Sequence, residues 1–113
     1  MLKKIECFIQ PFKLEEIKDA LVESGVEGMS VTEAKGFGKQ HGFVEGEMHN
    51  RKVKFRLKTK LEIVVDEELV EKVISVIQRL AYTGTIGSGK IFVVPVEDAI
   101  RIRTRETGKS ALY

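Results

Sequence analysis

From Val53 to Val65 the chain alternates without a break. Val53, Phe55, Leu57, Thr59, Leu61, Ile63 and Val65 take the odd positions, while Lys52, Lys54, Arg56, Lys58, Lys60 and Glu62 take the even ones. A side-chain period of two sends neighbours to opposite faces, so this is a β-strand with one face buried and one face charged. At ~3.3 Å per residue such a strand would reach about 40 Å. A single domain of 113 residues does not need that length. Part of the strand is expected to project as the stalk of a loop or to pair with another subunit.

Around this strand the other elements follow from period and punctuation. Ile5, Cys7 and Ile9 alternate with Lys4, Glu6 and Phe8, a second strand that Pro11 ends. Leu14, Ile17, Leu21 and Val22 share one helical face, and Gly25 closes that helix. A strand is expected over residues 29–35. Asp66 is placed to cap a second helix, with Glu67 and Glu68 in its first turn and Val70, Val73, Ile74, Ile77, Leu80 and Ala81 along its apolar face. Residues 91–96 read as a buried strand with Pro95 at an edge or bulge. Ile100 and Ile102 alternate with Arg101 and Arg103 in a last extended piece, and the tail from Arg105 reads as loose unless a partner orders it. The order strand, helix, strand, strand, helix, strand is α+β: a ferredoxin-like βαββαβ sandwich over residues 1–113, with a long loop between strands 2 and 3. Two helices cover one sheet face. The other stays bare and is expected to be buried by oligomerisation.

Residues 37–55 hold Gly38, Gly42, Gly46, two histidines and Asn50, with neither period. A loop this long inside a small domain is usually functional, and it is read as a flexible effector loop. The tail spans residues 104–113.

Composition excludes several classes. The net charge of +2 is near balance, so the totals give no reason to invoke nucleic acid. One cysteine, Cys7, cannot form an internal disulfide and suits a reducing compartment. The N-terminal residues do not read as a signal peptide, and no apolar run is long enough to enter a membrane; the expected location is the cytoplasm. No Ser-His-Asp set or cysteine pair points to an enzyme.

The chemistry gathers at glycine-marked basic turns. Thr83-Gly84-Thr85-Ile86-Gly87-Ser88-Gly89-Lys90 is not a complete Walker motif, since no Ser or Thr follows its lysine. Glycine amides nevertheless let backbone close on a phosphate, and Lys90 adds a point charge. Gly36-Phe37-Gly38-Lys39-Gln40 is a second such turn, and Arg101 with Arg103 is a third basic place. Together they suggest a polyphosphate pocket. The rival reading pairs the arginines with Glu97, Asp98 or Glu106. The ladder from Arg51 to Lys60 carries six cations and no acid; it reads as a solvated strand face, with Lys58 the exception nearest the body of the domain. His41, Glu45, Glu47, Met48 and His49 match no tight metal site.

Several stretches now carry a resemblance. Gln10-Pro11-Phe12-Lys13-Leu14, Gly28-Met29-Ser30-Val31-Thr32-Glu33, Lys35-Gly36-Phe37-Gly38-Lys39-Gln40, Leu61-Glu62-Ile63-Val64-Val65, Gly87-Ser88-Gly89-Lys90-Ile91-Phe92-Val93 and Ile100-Arg101-Ile102-Arg103-Thr104 resemble the PII signal-transduction proteins nearly end to end. The resemblance implies a non-enzymatic regulator: a homotrimer binding ATP or ADP in clefts between subunits. Its loop would dock on a transporter or a nitrogen-metabolism enzyme. Carried over by position, the nucleotide would meet Ser30, Gly36, Phe37, Gly38, Lys39, Gln40, Glu62, Val64, Gly87, Ser88, Gly89, Lys90, Arg101 and Arg103. Adenine would lie along Val64, and phosphates would lie at Lys90, Arg101 and Arg103. Gln40 would reach a magnesium ion bound with ATP, and Gln40 with Lys58 would reach 2-oxoglutarate; no other metal is implied.

The departures are local. The family commonly has arginine or lysine where this chain has Gln10, aspartate at Ser88, arginine at Lys39 and glycine at Arg105. The loop lacks the family's Tyr-Arg-Gly-x-x-Tyr stretch, and Arg51 stands where a modified tyrosine would be. No nucleotidylation of the loop is therefore expected, and 2-oxoglutarate is expected to bind weakly or not at all. The alternatives are a divergent regulator of a non-nitrogen target, such as carbon or metal transport, and a small phosphate-handling enzyme on the same fold.

Overall fold

A computed structural model describes residues 1–38, 53–85 and 87–112. The elements are β1 (Leu2–Ile9), a 3-10 turn (Pro11–Lys13), α1 (Leu14–Glu23), β2 (Ser30–Gly36), β3 (Arg56–Asp66), α2 (Glu67–Ala81), β4 (Gly89–Val96) and a second 3-10 turn (Gly108–Leu112). The strands form one antiparallel sheet in the order β2-β3-β1-β4. This is the expected α+β ferredoxin-like arrangement.

Strand parity decides what is buried. Ile5 faces Ile63 and Val93, and Cys7 faces Leu61 and Ile91. All of these lie on the side that carries the helices. Ile17 and Leu21 of α1 join Val73, Val76, Ile77 and Ala81 of α2 to close the core over Ile5, Cys7, Ile9, Leu61, Ile63 and Val65. Each fully buried aliphatic chain contributes roughly 1.5–3 kcal/mol. The Asp66 carboxylate accepts the Glu68 amide proton at 3.3 Å, so α2 starts where the capping residue places it.

Five expectations need correction. Val22 is exposed rather than buried. The buried line of the short α1 runs from Ile17 to Leu21, one residue pair at i,i+4, and Val22 stands about 100° around the helix from Leu21. β3 begins at Arg56, not at Val53, because its last rung on β2 is Gly36 opposite Arg56. Beyond that rung residues 53–55 have no ladder, and alternation alone does not make a strand. β4 is not buried. It is an edge strand that pairs with β1, and Phe92, Val93 and Val94 are exposed; Pro95 sits there without interrupting a central ladder.

Residues 100–107 are not extended but folded back. Ile100 bridges to Thr107, the Arg101 amide donates to Glu106 O at 2.9 Å, and the Arg105 amide donates to Arg101 O at 2.8 Å. Arg105 makes the reversal with φ of 64°, a left-handed conformation that accounts for the glycine expected at that position in relatives. The tail is not loose either. Its 3-10 turn packs near β3, and the Gly108 amide donates to both Ala99 O and Asp98 Oδ1 at 3.0 Å.

The face away from the helices carries a four-charge group. Lys4 lies 3.3 Å from Glu62 and 3.5 Å from Glu6, and Lys60 lies 3.8 Å from both glutamates. The hydrogen bond and charge of Glu62, followed by those of Glu6, raise the pKa of Lys4. Beside the group, Phe8 and Phe92 meet edge to face at 6.4 Å. Among the described residues only the tail's 3-10 turn lies against this face, at the end near Lys4, Glu62 and Val64.

Candidate functional site

The glycine-rich turn is built by hydroxyls. α2 ends at Ala81, and the Thr83 amide donates to Ser88 Oγ at 3.1 Å. Thr83 Oγ1 lies 2.6 Å from Ser88 Oγ and 3.0 Å from Thr85 Oγ1, and Ser88 Oγ donates to Thr85 O at 3.0 Å. Gly89, at φ of 120°, has no room for a side chain, since a Cβ there would overlap the carbonyl oxygen of Phe8. The Gly87 carbonyl accepts two donors, Gln10 Nε2 at 2.7 Å and Lys58 Nζ at 3.2 Å.

These contacts place the turn against the free ends of β2 and β3. Gly36, Phe37, Gly38, Lys58, Gly87, Ser88, Gly89 and Lys90 line one cleft of about 640 Å³ together with Phe8, Phe92 and Thr85. Burial, and then the charge of Arg56, lower the pKa of Lys58. An anion in the cleft would act against both causes and favour the charged form.

Ser30, Glu62 and Val64 are elsewhere. They line a second cleft of about 380 Å³ with Lys4, Met29 and Leu69, roofed by Ala111 and Leu112 of the tail. Ser30 and Gly36 sit at opposite ends of the seven-residue β2, about 20 Å apart. Arg101 is tied to this second group through the tail: Nη1 binds Glu106 Oε1 at 3.0 Å and Nη2 donates to Ser110 O at 3.3 Å. Arg101 thus has the Glu106 partner that the rival reading names. Arg103 is exposed and, among the described residues, has no ion pair.

One chain therefore gathers the expected residues into two separated groups and does not join them. Lys39 and Gln40 lie outside the described residues, as do His41, Glu45, Glu47, Met48 and His49. Among the described residues no cluster of three His, Cys, Asp or Glu side chains could hold a metal. Burial pushes the Cys7 thiol up to about 11, which removes it as a nucleophile at neutral pH. The hydroxyl brace of Thr83, the carbonyl contact of Gln10 and the tail roof are not among the expected site members. The one signal was position: Gln10 follows the strand whose last rung, Ile9, opposes Gly89.

The family model described as nitrogen regulatory protein P-II matches residues 2–106. Proteins named nitrogen regulatory protein P-II in Azospirillum brasilense, Bradyrhizobium diazoefficiens and Nostoc punctiforme are 53%, 54% and 49% identical, over 98% of this chain and their full lengths. A crystal structure of Arabidopsis thaliana PII bound to citrate superposes with a TM-score of 0.81 at 39% identity, covering 98% of this chain and 89% of that one.

Proposed function

Because the chain belongs to the nitrogen regulatory protein P-II family, whose members are signal-transduction regulators and not enzymes, we propose that it senses ATP and ADP at a site shared between copies of itself. What carries this reading is the separation of the two clefts along β2. A nucleotide has an apolar base at one end and charge at the other. The cleft at Ser30, Glu62 and Val64 of one copy takes adenine. The turns at Gly36–Gly38 and Gly87–Lys90 of the next copy take the phosphates, with Arg101 and Arg103 adding positive charge. Lys39 and Gln40 complete the set, and Gln40 reaches a magnesium ion that accompanies ATP. The assembly is a cytoplasmic homotrimer whose residues 37–55 dock on a transporter or metabolic enzyme, in nitrogen regulation.

Calorimetry with ATP, ADP and AMP tests the ligand. ATP or ADP is expected to bind at micromolar concentration or tighter, and no heat with any of the three rejects the reading. In the same cell, 2-oxoglutarate added to the ATP–magnesium complex is expected to bind weakly or not at all. Lys58 is already engaged by Gly87 O, and the neutral Gln10 stands where a second cation would help. A low-micromolar dissociation constant would overturn that part.

The oligomeric state has its own test. The bare sheet face presents Phe8, Phe92 and Val94 around the Lys4–Glu6–Lys60–Glu62 group, and a face of that kind is stabilised by a partner. Light scattering at micromolar concentration is expected to give three times the chain mass; a monomer would reject the shared site with it.

A further inference from the structure

We infer that Gln10 is a positioning residue: its side-chain amide fixes the Gly87–Ser88 peptide so that the Ser88 amide faces the anion. The inference rests on the reading of the glycine-rich turn as the phosphate site.

The backbone of Gln10 is held on both sides. β1 ends at Ile9, and the Lys13 amide donates to Gln10 O at 3.0 Å to close the 3-10 turn. Gln10 takes the capping position of that turn with an extended backbone, yet its side chain makes no cap bond. It reaches instead across 77 residues to the Gly87 carbonyl at 2.7 Å, in a partly buried contact.

Gly87 needs such a hold. Its φ is 96°, and a glycine has no side chain to resist rotation of the following peptide. A trans peptide points its carbonyl and its N–H in opposite directions. Holding Gly87 O toward Gln10 and Lys58 therefore turns the Ser88 N–H away from them. The Ser88 hydroxyl is fixed separately by Thr83 and Thr85, so the residue is held at the carbonyl before it and at its own side chain. A neutral amide does this without adding charge beside Lys58, whose ammonium already lies in a partly buried place.

The test uses the full chain with Gln10→Ala, Gln10→Glu and Gln10→Lys. Glutamate keeps the size but cannot donate when ionised, whereas lysine restores a donor. The order parameter of the Ser88 amide in the nucleotide-free protein should fall from about 0.85 to below about 0.6 in the Ala and Glu variants, and lysine should restore it. ATP affinity should fall roughly five- to tenfold in the first two, the scale of one lost hydrogen bond, and return with lysine. An unchanged Ser88 amide in the Ala and Glu variants, or no rescue by lysine, overturns the role of Gln10. A loosened turn with unchanged ATP affinity overturns the aim of the Ser88 amide at phosphate. If the unaltered protein binds no ATP, the phosphate reading fails, while the order parameters still decide whether Gln10 holds the turn.

Discussion

Replacing Gly89 with alanine should destabilise the protein by about 3–5 kcal/mol. Two costs combine. Gly89 has φ of 120°, where an L side chain is strained by roughly 1–3 kcal/mol. The new methyl would also overlap the Phe8 carbonyl oxygen and come within 3.2 Å of its carbon. Phe8 is part of β1, the strand that pairs with both β3 and β4, so it cannot move without distorting two ladders. Gly25→Ala is the control. It has a similar φ of 106° but nothing within 4 Å of the added carbon, so it should cost only the strain, about 1–2 kcal/mol. Urea unfolding followed by circular dichroism, at one fixed protomer concentration, measures both. Equal losses at the two glycines would mean that β1 and β4 can separate to admit the methyl.

The same contrast shows where sequence reasoning reaches and where it stops. Alternation from Thr59 to Val65 and from Ile5 to Ile9 predicted which side chains meet the helices, because strand parity is a local property. Asp66 announced the start of α2 for the same reason. The Ile–Arg alternation at 100–103 was misleading. What bends that segment is the left-handed Arg105 together with the hold of Glu106 and Ser110 on Arg101, contacts that no period reveals. The apolar run of β4 reads as buried, and composition does not say which strand lies at the edge. The candidate site residues come as a set from the resemblance alone. That Ser30 and Gly36 stand at opposite ends of one strand became clear only with the register, and the proposal of a site shared between copies rests on this distance. Gln10 could be seen as a departure, but its contact with Gly87 joins residues 77 positions apart.

Changing Arg103 to alanine should weaken ATP or ADP binding by roughly ten- to a hundredfold, since a charge-assisted hydrogen bond is worth about 1.5–3 kcal/mol. Arg103 is exposed and, among the described residues, unpaired, so the fold loses little and the guanidinium has no internal anion to leave before it meets phosphate. Arg101 starts from a different state. Its Nη1 lies 3.0 Å from Glu106, and a nucleotide phosphate must compete with that carboxylate. Glu106→Gln should therefore strengthen binding, but only by up to about fivefold, because an exposed pair of this kind is worth about 0.2–1 kcal/mol. Glu106 also accepts from Thr104 Oγ1 at 2.7 Å, a bond that glutamine can keep, so the loop should hold its shape. Calorimetry on the two variants gives opposite signs if both arginines face the nucleotide. Unchanged affinity in Arg103→Ala removes that side chain from the site, and weaker binding in Glu106→Gln would mean that the Arg101–Glu106 pair has to stay closed for the phosphates to be held.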